Sequence, residues 1–255
     1  MMTVQFGRMM CKVAPVLAMA AMIGLSACNS ADAQLSGRQG VPLSELNMSG
    51  AAPDAIALMG PDRVLISQGA AFDIDVEGSA SDTQDLRFLL EDGELGISRE
   101  NGSWKSSSSI TTIRVTLPEA PGRLTLAGSG EIASERLANA AEIVIAGSGN
   151  VSTPSVAAET LEISIVGSGR YRAAGSARQL DLSVAGSGNA ELAGLKADRA
   201  DVSIAGSGDT VFASDGEVDA SFMGSGNVTV RGAARCTVSS MGSGKLTCER
   251  ADAAA

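Results

Sequence analysis

Seven serines, each held between two glycines, stand at positions 129, 148, 168, 187, 207, 225 and 243. A serine hydroxyl becomes a nucleophile only beside a base, and the chain contains no histidine at all, so a Ser-His-Asp triad is excluded. Beyond the N-terminal segment the lysines are Lys105, Lys196 and Lys245, too few to give each serine a lysine base. Seven equivalent serines argue for architecture, and we expect their hydroxyls to bond to local backbone or to neighbouring repeats. No catalytic residue is expected among them.

Carboxylates form the second set. Counting from each Gly-Ser-Gly serine, position −6 carries Glu142, Glu162, Asp181, Asp201 and Asp219 in five consecutive repeats. Position −4 carries Ser164, Ser183, Ser203, Ser221 and Ser239. If repeats stack in register, these carboxylates lie about 5 Å apart, and like charges on adjacent strands repel. Such a column is either a solvated acidic face, screened beyond about 8 Å, or a face for a hard cation such as Ca²⁺ or for a basic partner. Zinc-type chemistry is excluded by the missing histidine and free-thiol ligands. A nine-residue calcium-binding repeat is excluded because only Asp209 follows a Gly-Ser-Gly directly. Glycoside hydrolysis needs paired carboxylates, and neither Asp-Asp nor Asn-Thr-Asp occurs. Trp104, Tyr171 and four phenylalanines are a meagre set for stacking on sugars.

The third set is the cysteines. Arg8 and Lys12 precede an apolar run from Val13 to Leu25 that is too short to span a bilayer, the pattern of an export signal over residues 1–27. It ends in Leu25-Ser26-Ala27-Cys28, which resembles the lipobox of bacterial lipoproteins. That resemblance implies cleavage before Cys28, a diacylglycerol on its sulfur and, with Asn29 rather than aspartate next, outer-membrane rather than inner-membrane anchoring. Acyl chains contribute about 0.8 kcal/mol per buried methylene, enough to hold the chain on a membrane without a further anchor. Cys11 leaves with the signal, and in an oxidising compartment Cys236 and Cys248 are expected to form a disulfide. Removing Arg8 and Lys12 leaves 17 basic against 29 acidic residues, which makes nucleic acid and anionic lipid surfaces poor partners.

The elements that position these residues follow from the period. The serines recur at intervals of 19, 20, 19, 20, 18 and 18, the signature of a solenoid with one coil per repeat. Positions −7, −5 and −3 are apolar, as in Leu161, Ile163 and Ile165, or Leu180, Leu182 and Val184, with polar residues between them. Period two over a short run is a strand with one buried face. Apolar residues resume at +3 and +5, as in Val228 and Val230 or Leu246 and Cys248, so each coil holds at least two strands joined at Gly-Ser-Gly. Both cysteines then fall on inward columns of the last coil. Coils about 4.8 Å apart require tight corners, and tight corners favour glycine.

Upstream, Ile56 and Leu58, Val64 and Ile66, and Phe72, Ile74 and Val76 alternate less regularly and are read as early coils capping the stack. Leu86, Phe88 and Leu90 face Leu95 and Ile97 across Glu91-Asp92-Gly93-Glu94, a hairpin turn sequence. Serines 106–109 mark a loop before Ile113, Val115 and Leu117. Residues 28–54 lack a sustained pattern and are read as a tether, leaving 55–250 as the domain and about 122–250 as its regular coils.

With its repeated Ala-Gly-Ser-Gly corners at Ala127 to Gly130, Ala146 to Gly149 and Ala185 to Gly188, and its Glu91-Asp92-Gly93-Glu94-Leu95 turn, the chain resembles the head-GIN family of auto-transporter adhesins over about residues 55–250. The resemblance implies an all-β, right-handed parallel β-helix at the cell envelope. The sequence reading is therefore a non-catalytic envelope lipoprotein, acting as a binding, adhesion or structural module, with an envelope protein or polysaccharide as ligand. The alternatives are a polysaccharide-active β-helix enzyme of the pectinase type and a scaffold that stacks end to end.

Overall fold

A chain whose coils lie one strand spacing apart must bring backbone against backbone wherever it turns, and this decides what its corners can contain. The computed structural model describes residues 40–100 and 110–249. The export signal, Cys28, the first part of the expected tether and Ser106 to Ser109 lie outside the described residues.

Sixteen strands form one hydrogen-bonded system. They are β1 (Ala55–Met59), β2 (Arg63–Gln68), β3 (Asp73–Glu77), β4 (Leu86–Glu91), β5 (Glu94–Arg99), β6 (Thr112–Leu117), β7 (Arg123–Gly128) and β8 (Glu131–Ser134). There follow β9 (Ala140–Gly147), β10 (Asn150–Gly167), β11 (Arg170–Gly186), β12 (Asn189–Gly206), β13 (Asp209–Gly224), β14 (Asn227–Arg231), β15 (Arg235–Gly242) and β16 (Lys245–Glu249). From β7 onward every pairing is parallel and joins equivalent positions of successive coils, so that Gly147, Gly167, Gly186 and Gly206 form one ladder. The long strands run through two sides of a coil, and register shifts at Thr153/Val156, Arg172/Ala174 and Leu192/Lys196 absorb the variation in repeat length. This is the all-β parallel solenoid that the period predicts.

Each Gly-Ser-Gly corner uses its residues differently. The first glycine has positive φ, +123° at Gly147, and a Cβ built there would lie 2.4 Å from the Gly128 carbonyl oxygen of the coil below. The second glycine points inward, and a Cβ on Gly149 would lie 2.6 Å from both the Gly130 oxygen and Leu126 Cδ2. The serine between them is exposed. Its backbone N–H ties the coils together, Ser148 donating to Gly128 O at 2.9 Å and Ser187 to Gly167 O at 2.8 Å. The expectation that the hydroxyls close the corner is therefore corrected. They face solvent, and the main chain already supplies the bond between coils.

The interior is a column of Leu, Ile, Val and Ala in register, including Leu161, Leu180, Ile163, Leu182, Ile165 and Val184. Each such side chain contributes about 1.5–3 kcal/mol on burial. Tyr171 and Phe212 fill wider layers, and the Tyr171 hydroxyl meets Thr153 Oγ1 at 2.5 Å. Burial pushes the Tyr171 phenol well above its ordinary range, so it stays neutral in the core.

The spatial order at the N-terminal end differs from the chain order. Strand β1 lies between β7 and β5, and β2 between β8 and β6. The chain thus lays down an inner coil, β1–β2, moves outward through β3 and β4, returns as the coil β5–β6, and crosses to the other side of β1–β2 to start the regular stack. Two antiparallel strands close this end, β4 on β5 and β3 on β6. The β4–β5 turn has Asp92 at φ 50° and Gly93 at φ 80°, the two positive values of a two-residue hairpin. Part of the expected tether is docked: Val41 exchanges two 2.8 Å backbone bonds with Phe88, and Leu43 and Leu46 pack on the core.

Where the regular stack meets this cap, Asp62 occupies the place of a second corner glycine. Its carbonyl accepts from Glu131 N–H as that of Gly130 accepts from Asn150. The next coil out has no Gly-Ser-Gly corner to collide with. The buried Asp62 carboxylate instead takes Arg99 Nε at 2.7 Å and Nη2 at 2.5 Å, and the Thr111 N–H at 2.9 Å. A fork of this kind satisfies both buried charges.

Two stability outcomes follow. Gly147→Ala is expected to cost more than about 2 kcal/mol, whereas Ser148→Ala stays within about 0.5 kcal/mol, measured by urea denaturation. Asp62→Ala strands the Arg99 charge and is expected to cost about 3–5 kcal/mol in the same measurement, with unfolding of the cap seen first by hydrogen exchange.

Candidate functional site

The side of the coil that leads into Gly-Ser-Gly has an outward surface built of columns. Register pairs Glu142 with Glu162, Glu162 with Asp181, Asp181 with Asp201 and Asp201 with Asp219, so the five predicted carboxylates form one unbroken column. Ser164, Ser183, Ser203, Ser221 and Ser239 form the next, and Ser203 Oγ lies 3.0 Å from Ser221 Oγ. Repulsion in the acidic column is offset at two points. Arg123, one coil below Glu142, donates to it at 2.7 Å, and Gln179 Nε2 donates to Asp181 at 3.0 Å. Glu162, Asp201 and Asp219 project into water.

At its cap end the column enters a groove of about 660 Å³ where Asp54, Asp92 and Glu94 face Glu142, Glu162 and Asp181 across Arg123. Among the described residues no group of three or more histidine, cysteine, aspartate or glutamate side chains converges to hold a metal ion. Side chains that leave a flat sheet in parallel do not surround an ion. The column is an extended acidic face.

One column escaped the sequence reading. Position −2 carries Ala127, Ala146, Val166, Ala185, Ala205, Met223 and Met241, aligned in register and directed outward. Val166 is 53% exposed, Met223 64% and Met241 75%. The signal was available, because an apolar residue at −2 breaks the alternation next to the corner. An apolar lane therefore runs between two serine lanes, the inner serines and the exposed corner serines, with the acidic column beyond. No corner hydroxyl makes a hydrogen bond among the described residues.

Other outward columns hold opposite charges one coil apart. Arg172 Nε lies 2.5 Å and Arg170 Nε 2.6 Å from the Glu191 carboxylate, Lys196 Nζ lies 2.6 Å from Asp215, and Arg199 pairs with Glu217. Stacking brings these together from positions 18 to 21 residues apart in sequence, Arg172 with Glu191 and Arg199 with Glu217 as register partners, and Arg170 with Glu191 and Lys196 with Asp215 on the diagonal. The hydrogen bond from Arg172 holds Glu191 below the usual carboxylate range, and that from Lys196 does the same for Asp215.

Cys236 and Cys248 are bonded, as predicted. They continue the columns of Val218 and Val230, which are buried, but among the described residues no further coil covers them, and Cys248 is exposed where core burial was expected.

The fold is a parallel solenoid whose outward side chains form continuous columns. The chain belongs to the family described as putative auto-transporter adhesins with a head GIN domain, whose sequence profile matches residues 52–234. Solved structures share the fold. A putative adhesin from Bacteroides fragilis NCTC 9343 is 22% identical with a TM-score of 0.70, covering 77% of this chain and 92% of that one. A putative lipid binding protein from Parabacteroides distasonis ATCC 8503 is 23% identical with a TM-score of 0.62, covering 78% and 93%. A putative adhesin from Parabacteroides merdae ATCC 43184 is 16% identical with a TM-score of 0.61, covering 77% and 92%. No curated protein matches. No helix among the described residues is long and apolar enough to cross a membrane.

The lowered carboxylates carry a pH signature. Their contribution is present above the ordinary carboxylate pKa and is lost as pH falls through the lowered folded value. Thermal unfolding is expected to move to lower temperature as pH drops from 5 to about 3, and Glu191→Gln should flatten that dependence by lowering the neutral-pH midpoint slightly while leaving the midpoint near pH 3 unchanged.

Proposed function

We propose that the chain is a non-catalytic binding module of the cell envelope, held at the outer membrane by lipid on Cys28, and that its columned face engages an envelope protein or polysaccharide. The observation that carries this reading is the register itself: acidic, hydroxyl and apolar lanes repeat coil after coil at about 4.8 Å. A partner with its own repeat can match such a face many times over, so weak single contacts sum to a firm attachment. The adhesin and lipid-binding descriptions of the family and its structural relatives support a binding rather than a catalytic role. The absence of histidine removes the commonest general base, and the exposed corner serines have no base beside them.

The test is sedimentation of the mature chain with purified cell wall or outer-membrane vesicles, with soluble sugar release monitored in parallel. Retention without sugar release is expected. Reversing the face through Asp201→Lys with Asp219→Lys, or replacing Met223 and Met241 with serine, should lower retention at least tenfold while the circular dichroism spectrum is kept. Equal retention of these variants removes the face from the function, and sugar release by the purified chain converts the module into an enzyme. In cells, Cys28→Ser is expected to move the protein from the membrane to the soluble fraction, and an unchanged membrane fraction overturns the lipid anchor.

A further inference from the structure

The two ends of the stack are built differently. At the cap end the outermost strands are antiparallel, the free edge of β4 is bridged by Val41, and β3 presents Asp73, Asp75 and Glu77 on alternate residues. Charges at that spacing discourage the addition of another strand. At the opposite end β15 pairs only with β13 and β16 only with β14 among the described residues. Beyond Arg235, strand β15 runs uncharged through Cys236 to Gly242. Val238, directly over Ala220, is 53% exposed where Ala220 is 4% exposed. The disulfide clips β15 to β16, so this apolar edge is held in place. An edge without bulge, proline or charge protection is a template for another strand.

We infer that this end is an interface with a second copy of the same chain, joined through antiparallel pairing of β16 with its symmetry mate. The residues of β16 select that partner. In an antiparallel register centred on Thr247, Lys245 falls opposite Glu249 of the partner subunit, and Glu249 opposite Lys245 of the partner subunit. The same register sets Leu246 against Cys248 of the partner subunit, so both inward side chains stay on the core side. One two-fold axis thus satisfies two ion pairs, two apolar pairs and the open backbone groups of the edge. Val238 is then covered by the partner's coil. Because the cap end is closed, stacking head to tail into a filament is blocked, and assembly stops at two copies. The edge is short against the roughly 800 Å² per partner of a stable interface, so the dimer is expected to dissociate in the micromolar range or above. This interface is independent of the columned face and does not rest on its ligand.

Sedimentation-velocity measurements on the full exported chain carrying Cys28→Ser, which removes the lipid site, test this over about 1–500 µM, a range that brackets the expected dissociation. A monomer–dimer equilibrium is expected. Glu249→Lys should weaken it at least tenfold, because lysines then face lysines across the axis, and Lys245→Glu together with Glu249→Lys should restore it, since the swapped charges pair again. Intact disulfide and unchanged circular dichroism keep the variants comparable. A chain monomeric at every concentration, a dimer indifferent to Glu249→Lys, or growth beyond two copies overturns the proposal. It also falls if dimers appear only after residues 251–255 are deleted, because the chain's own tail then occupies the edge.

Discussion

The close approach of one coil's corner to the carbonyl oxygens of the coil below is the constraint on which this structure depends. With coils about 4.8 Å apart, any Cβ on the corner's first or third residue would strike backbone or core, so both positions are glycine and only the middle residue is free to carry a side chain. Once the corner is fixed in every coil, register is fixed in every strand that leads to it, since a slip of one residue would turn the buried face outward. The aligned core, the aligned carboxylates and the aligned ion pairs are consequences of that single contact repeated up the stack.

Register has opposite effects on the different columns. Where a column alternates in sign, as at Arg172 and Glu191 or Arg199 and Glu217, stacking yields partners, and the hydrogen bond from Arg172 holds Glu191 ionised to lower pH. Where it repeats one sign, as from Glu142 to Asp219, stacking accumulates charge that only Arg123 and Gln179 relieve. Keeping such a column costs electrostatic energy that full exposure makes small. Its neighbours are small hydroxyls and an exposed apolar lane, so a surface of three chemistries is presented without any residue being brought in from afar. Binding by repetition suits such a scaffold better than catalysis, which requires groups converging on one point.

The ends of the stack are where repetition fails and individual residues take over. At the cap, the inward corner position becomes Asp62, and its carboxylate finds Arg99 and Thr111 because the coil beyond has no Gly-Ser-Gly corner. At the other end the inward columns continue into Cys236, Val238, Leu246 and Cys248, and a covalent bond joins the two strands of that coil.

Much of this was legible in the sequence, for a reason that is itself physical. A period near 19 with invariant corners determines the coil, the buried columns, the composition of the acidic and serine columns and the placing of Cys236 and Cys248 on inward columns, because in a solenoid contacts join equivalent positions of neighbouring repeats. The hairpin at Asp92-Gly93 was equally plain, since local turn chemistry specifies it. What only the tertiary structure decided lies where that periodicity stops. The insertion of β1–β2 between β5–β6 and β7–β8, the Asp62–Arg99 pair 37 residues apart and the docking of Val41 on Phe88 depend on contacts that no repeat encodes. The exposure of the corner hydroxyls and of the disulfide depended on whether backbone or a further coil already occupied the space, and that is a matter of packing rather than of pattern.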